Sequence, residues 1–278
     1  MARPATRDSK NARLGVIEFG KLLIESGDLD PLYIILKNSG FSRKKLSGWL
    51  VSYFCFYSAG LSCWIVDEPD YWAAMKEVPR SGTKFPRGAE RRHFRGDFAV
   101  RAVDKLCAQF PDPQDFFTFL SKPPTTAKSV AKRVKTLYGF GEWISWKVPD
   151  ISERLGLIPV EFTDECVYLM FDSSLKGAQE VARVHVPNSK DPLMDAHKFL
   201  INKLGHLKAP PIYDRSINVQ ETETVFCKWK SHLGGHYPPG KDTVEILHGL
   251  ERFKQCPSSQ ALIRELKKLE VKVRAMLS

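Results

Sequence analysis

The amino-acid sequence predicts an all-α protein, two helical lobes around a central cleft. Three observations lead there. Apolar residues recur at helical spacing along most of the chain. Caps and stops (Ser, Asp and Asn before, Gly after) bracket those stretches. Strand signals are few, and no repeat or low-complexity run breaks the pattern. A chain of 278 residues can bury a sizeable core. The reading is one helical domain over residues 1–278, its lobes meeting at a cleft near 85–165.

Residues 1–12 are polar and form a loose arm. A first helix runs from Leu14 to Ser26, on the Leu14, Ile17, Leu22, Leu23 spacing, and stops at Gly27. Asp30-Pro31 opens a short second helix, with proline in the first turn, where its missing N–H costs nothing. Ser42–Trp64 is apolar on most sides and reads as one buried helix, bent near Gly60. Asp67-Glu-Pro-Asp caps a helix that runs through Val78. The segment Pro79–Gly96 starts as a Pro/Gly loop and ends crowded with cations. Helices follow over Asp97–Phe110, Pro113–Leu120 and Ala127–Leu137, with Ser121-Lys-Pro-Pro as a turn. A helix past Asp164 reaches Phe171, whereas Ser173–Pro187 has an ambiguous pattern. Asp191-Pro192 begins a helix to Leu204, and Gly205–Ser216 is a proline-containing loop. Asn218 caps a helix that ends at Gly234-Gly235. The last two helices are Thr243–Phe253 and Ser258–Leu277, the latter capped by Ser258 or Ser259.

Charge and cysteine usage narrow the class. The net charge is +10, and between Arg80 and Lys147 fourteen Lys/Arg face six Asp/Glu. Such clustering is the footprint of a polyanion partner. No apolar run is long enough for a membrane span, and the first residues lack the apolar core of a secretory signal. The six cysteines form no C-x-x-C and sit mostly in apolar runs, as reduced core residues of a cytoplasmic protein do. His232 and His236 are split by Gly234-Gly235, which breaks the helix a zinc pair needs.

Three stretches carry candidate chemistry. The first is helix, hairpin, helix: the basic helix before Gly139-Phe140-Gly141, then a helix with Trp143, Ile144, the Lys147 stem, Ile151 and Leu155 on one stripe. Two glycines allow positive φ at low cost, and the free N–H groups of the second helix suit a phosphate. An ordinary turn between core helices fits the hairpin alone equally well. Within the second helix, Lys147 is a nucleophile if buried enough to shed its proton, but a backbone contact or pairing with Asp150 at i, i+3 is favoured. The second stretch packs Arg87, Arg91, Arg92, His93 and Arg95 into nine residues. Like charges at that density repel unless an anion joins them, and guanidinium forks match phosphate oxygens. A phosphate or pyrophosphate clamp is expected there, rather than a surface paired through Glu90 and Asp97. The third is Gln220-Glu-Thr-Glu-Thr-Val-Phe-Cys-Lys-Trp-Lys230. Glu223 in a partly apolar helix suits a general base. From the residues alone, a surface helix with Thr224 and Lys228 paired at i, i+4 is favoured.

The hairpin with a carboxylate following it resembles the helix-hairpin-helix of the DNA glycosylase superfamily. Together, Tyr57–Asp67, Phe85–Gly96, Gly139–Gly156 and Gln220–Lys230 resemble the phage amino acid:DNA transferases, or α-glutamyl/putrescinyl thymine pyrophosphorylases, thought to be offshoots of those glycosylases. The resemblance covers about residues 50–250, and the arginine-rich box is its most specific part.

That resemblance implies a glycosylase-like fold and a DNA-hypermodifying enzyme of phage, working in the host cytoplasm. It displaces pyrophosphate from 5-pyrophosphoryloxymethyl-uracil in double-stranded DNA with an amino acid of the glycine or serine type, or an amine. It places pyrophosphate on Arg87, Arg91, Arg92, His93 and Arg95. It places the glycosylase-type carboxylate on Asp164, with Glu161 as rival because the register is one to three residues off. Lys147 and Glu223 complete the catalytic candidates, so Asp164, Glu161 and Glu223 all qualify as the base. Gly139, Gly141, Lys132 and Lys135 are the expected DNA contacts. A divalent ion on the pyrophosphate is compatible with this chemistry, although no ligand set is visible. Two other activities stay open: a glycosylase or lyase acting through Asp164 or Lys147, and a DNA-binding module without turnover.

Overall fold

A computed structural model describes residues 14–81 and 96–277 of the chain. Among these the protein is all-α, with only two isolated bridges, Thr126 to Glu161 and Lys208 to Ser216. Helix α1, Val16–Ser26, ends on Gly27 in the left-handed region (φ 84°), and α2, Pro31–Asn38, starts on its proline. The expected single helix over Ser42–Trp64 is two: α3, Arg43–Phe56, and α4, Ala59–Asp67. The break lies at Tyr57 (φ 51°), with Ser58 capping α4, and not at Gly60. Gly60 serves a different purpose. A Cβ there would lie 2.2 Å from the Gly249 carbonyl oxygen, so the glycine lets two helices touch.

Asp70 caps α5, Tyr71–Arg80, through the Ala73 amide. Then come α6, Gly96–Gln109, and α7, Pro113–Leu120, whose Asp112 and Asp115 form a reciprocal capping box. Helices α8, Ala127–Lys135, and α9, Glu142–Arg154, flank the glycine hairpin. Asp164–Leu169 is a 3-10 helix rather than an α-helix to Phe171. The ambiguous segment forms α10, Ser173–His185. It is followed by α11, Pro192–Leu204, and α12, Val219–Leu233, with a capping box of Asn218 and Glu221. Helices α13, Lys241–Glu251, and α14, Pro257–Leu277, close the chain. Ser258 does not cap α14 with its own side chain; its amide and hydroxyl both bond the Asp67 carboxylate of α4, at 2.8 and 2.6 Å. All six cysteines are free, and four are buried. None of the described helices is long and apolar enough to cross a membrane.

The apolar interior divides into two clusters. One gathers α2 to α9 with α13 and α14, around Trp49, Phe54 and Phe116. The other gathers α1, the 3-10 helix and α10 to α12, around Phe19, Leu200 and Phe226. Helix α9 serves both: Ile144, Val148 and Ile151 face the first cluster, Trp146 the second. Gly177 of α10 lies against α12, and a Cβ there would stand 2.0 Å from the Phe226 carbonyl oxygen. Gly141, by contrast, has nothing within 4 Å of such a Cβ and an extended φ of −97°. Gly177→Ala should therefore destabilise the protein by roughly 1–3 kcal/mol or more through overpacking. Gly141→Ala should shift the urea midpoint little; equal midpoints for the two variants would contradict this packing.

Candidate active site

A buried polar seam lies where the two clusters meet. Helix α9 contributes Lys147, Asp150 and Arg154, spaced i, i+3 and i+7 and so on one face. Helix α12 answers with Gln220, Glu221 and Glu223, all buried. The pairs run in opposite directions along the two helices. Lys147 Nζ lies 3.3 Å from Glu223 Oε2, and Gln220 Nε2 donates to Asp150 Oδ1 at 3.1 Å. Arg154 bonds Asp30 Oδ2 at 2.6 Å and the Pro210 carbonyl, and lies 3.5 Å from Glu221. Tyr33 of α2 donates to Asp150 Oδ2 at 2.8 Å, and Arg215 forks both Glu221 oxygens. The surface helix favoured by residue pattern for 220–230 is thus corrected. Gln220 to Thr224 are all buried, and Lys228 pairs with Asp242 and the Asp28 carbonyl, not with Thr224.

Charge is unbalanced in this seam. Five carboxylates (Asp30, Asp150, Glu153, Glu221, Glu223) meet three cations (Lys147, Arg154, Arg215). Burial raises the Asp30 carboxyl despite Arg154 beside it. Glu153, half-buried, is raised by the same cause. Burial alone would lower the Lys147 amine, but Glu223, Asp150 and Asp30 outweigh it and hold the pKa well above its ordinary value. An amine so held stays an ammonium, a form that orients carboxylates and stabilises anions but does not attack carbon.

Glu223 is tightly specified. Its Oε1 accepts from Ser174 Oγ at 2.6 Å, in the first turn of α10, while Oε2 faces Lys147. Asp164 heads the 3-10 helix with its side chain largely exposed. Its Oδ1 lies 3.1 Å from His197 Nε2, and His197 Nδ1 lies 2.8 Å from Thr222 Oγ1. A carboxylate only accepts, so Nε2 carries the proton and Nδ1 accepts from the Thr222 hydroxyl. Thr222 and Glu223 are consecutive on α12, so the exposed carboxylate and the buried one are held from adjacent faces of one helix.

The hairpin residues have varied surroundings. Gly139 takes φ 92°, as its freedom allows, but Gly141 is extended and caps α9. Lys135 forms an ion pair with Glu142 across the hairpin, and Lys132 is exposed. Glu161 is exposed, and its backbone closes the base of the unit: Ala127 N–H donates to the Glu161 oxygen (2.9 Å), Glu161 N–H to that of Thr125 (3.0 Å). A groove of about 700 Å³ beside it is lined by Arg43, Thr125, Glu153, residues 156–160 and Glu161. Arg87, Arg91, Arg92, His93 and Arg95 lie outside the described residues. Sequence reading missed Tyr33, Ser174, His197 and Arg154 as parts of this network. A buried His inside an otherwise ordinary amphipathic helix, α11, gives no local sign of its partner.

Comparison with known proteins gives three findings. The family model described as amino acid:DNA transferase matches residues 20–237. The chain is 35% identical over 263 residues to a glycinyltransferase of Pseudomonas phage PaMx11, covering 84% of this chain and 89% of that protein. It is 25% identical over 242 residues to a putrescinyltransferase of Delftia phage PhiW-14, covering 82% of this chain and 76% of that protein.

The site also predicts a pH response. Burial lowers the His197 pKa from its ordinary 6.5, against the opposing pull of Asp164. The unfolded state then binds the proton more readily, so this contribution is present above about pH 6.5 and is lost as pH falls through the lower folded value. Thermal melts between pH 8 and pH 5 should show His197→Gln losing stability less steeply on acidification than the parent. Parallel curves would mean that His197 does not titrate as described.

Proposed function

Because this chain belongs to the amino acid:DNA transferase family, we propose that it displaces pyrophosphate from 5-pyrophosphoryloxymethyl-uracil in duplex DNA with an amino acid of the glycine type. The likeness to the phage glycinyltransferase favours glycine over a diamine. The observation that carries the mechanism is the Glu223–Lys147 pair, a carboxylate held between a hydroxyl and an ammonium in a buried seam.

The target carbon hangs from C5 of a pyrimidine, so the base leaves the stack to reach the protein. An incoming amino acid carries an ammonium and must lose one proton before it is a nucleophile. Glu223 takes that proton. The nitrogen lone pair then forms the C–N bond as the C–O bond to pyrophosphate breaks, and that bonding pair departs with the pyrophosphate. The Lys147 ammonium, pinned by carboxylates, supplies fixed positive charge as the leaving group gains negative charge. The arginines of residues 87–95 match the same departing anion by their density in the sequence. Asp164, exposed and oriented by His197, draws in the amino acid's ammonium. Lys132 and the other cations around the hairpin hold the DNA backbone.

DNA bearing the pyrophosphoryl ester, incubated with glycine or putrescine, tests this reading. The expected result is pyrophosphate release that depends on the amine, with the glycinyl nucleoside found by mass analysis. Glu223→Gln should lower kcat by roughly 10²- to 10⁴-fold, the usual weight of a general base, while duplex binding persists. No release with any amine would sink the proposal.

A further inference from the structure

We propose that Phe171 is the residue that fills the duplex when the modified pyrimidine is everted. This rests on the transferase reading above and adds to it a group that touches DNA rather than the reacting atoms.

Phe171 follows the 3-10 helix that begins at Asp164 and precedes α10, whose Ser174 holds Glu223. The Phe171 carbonyl accepts from the Ser174 amide at 3.3 Å, and the Ser174 hydroxyl gives its one proton to Glu223 at 2.6 Å. Two hydrogen bonds therefore tie the Phe171 backbone to the proposed base. Its ring nonetheless points outward and is 47% exposed. Among the exposed large apolar side chains described, it is the one whose backbone shares a hydrogen-bond partner, Ser174, with Glu223. Tyr168, also exposed, has its hydroxyl bonded to Asp191 and so carries a polar tip of its own.

The turn that presents Phe171 is stiff. Val167 and Met170, just before it, are buried in the second apolar cluster. Asp172, just after it, takes φ 42°, a strained value for a residue with a Cβ. That conformation is held by Lys176, whose amide bonds the Asp172 carbonyl oxygen at 2.9 Å and whose Nζ bonds its carboxylate at 2.6 Å. In the free protein about half of the ring surface meets water. In a duplex that has lost one base, the ring gains a stacking partner on each side. Apolar side chains inserted between base steps act in this way and stabilise a kinked, opened duplex. Anchoring the ring to the serine that orients Glu223 couples base eversion to the geometry of the reacting centre.

The test compares Phe171→Ala and Phe171→Trp with the parent on two substrates, duplex and single-stranded DNA, each carrying the pyrophosphoryl ester. The ring is on the surface, so both variants should melt with the parent. For Phe171→Ala, kcat/KM on duplex should fall roughly ten- to hundredfold, the scale of one lost aromatic–base stack. On single strands, where no gap needs filling, it should stay within about threefold of the parent on the same reasoning. Phe171→Trp should restore duplex activity. A 2-aminopurine placed beside the modified base should brighten when the parent binds duplex and stay quenched with Phe171→Ala, a readout that needs no turnover. Equal losses on duplex and single strands, or an unchanged duplex rate, would overturn the role of Phe171 and leave the transferase reading standing. If the parent itself turns over neither substrate, the transferase reading fails, and this inference with it.

Discussion

The contact between Lys147 and Glu223 is the constraint on which the rest of the molecule depends. Two ionised groups taken out of water cost several kcal/mol each unless they face one another with good geometry and their remaining valences are filled. Here the spare oxygen of Glu223 is filled by Ser174, and the other side of Lys147 by Asp150. Asp150 in turn needs Tyr33 and Gln220. These partners come from four helices, so satisfying them together fixes the relative placement of α2, α9, α10 and α12. Removing a single member would leave its neighbours charged and unpaired, which is worse than never burying them.

A seam of this kind suits chemistry at a charged centre. Groups already oriented by their neighbours need not reorganise when charge moves during a reaction. The surplus of carboxylates keeps Lys147 protonated while burial raises the carboxyls of Asp30 and Glu153, so proton positions differ across a few ångströms. Separation of that sort assigns distinct tasks to residues of the same type. The neighbouring chain from Asp164 through His197 to Thr222 repeats the device at the surface, with a neutral imidazole as the spacer. Membership of the amino acid:DNA transferase family gives this geometry a setting, and the amine nucleophile and anionic leaving group we propose both call for fixed charges.

Asp67 shows the same logic outside the site. It accepts from Lys45, and from the Ser258 amide and hydroxyl at the start of α14, so that a side chain of α4 performs the capping that α14 does not do for itself. Burial would raise its carboxyl, but the hydrogen bonds from Lys45 and Ser258 outweigh it and hold it below the ordinary range.

Helix limits were legible where their signals are local. Asp70, Asp112 and Asn218 cap their helices, Pro31, Pro113 and Pro192 open theirs, and Gly27 ends α1. Each of these effects acts within one turn of backbone, so the chain by itself decides them. The family resemblance and the candidates Lys147, Asp164 and Glu223 were legible too, as residue types in a pattern. Their surroundings were not. Lys147 and Glu223 are 76 residues apart, Tyr33 and Asp150 are 117 apart, and the burial of Gln220–Thr224 depends on such distant partners. A polar helix face carries the same residues whether it meets water or another helix, because desolvation depends on what folds against it. The chain alone therefore determined the helix limits that local caps and stops set and which residue types offer candidate chemistry; only tertiary packing decided which of them are dry, paired and charged.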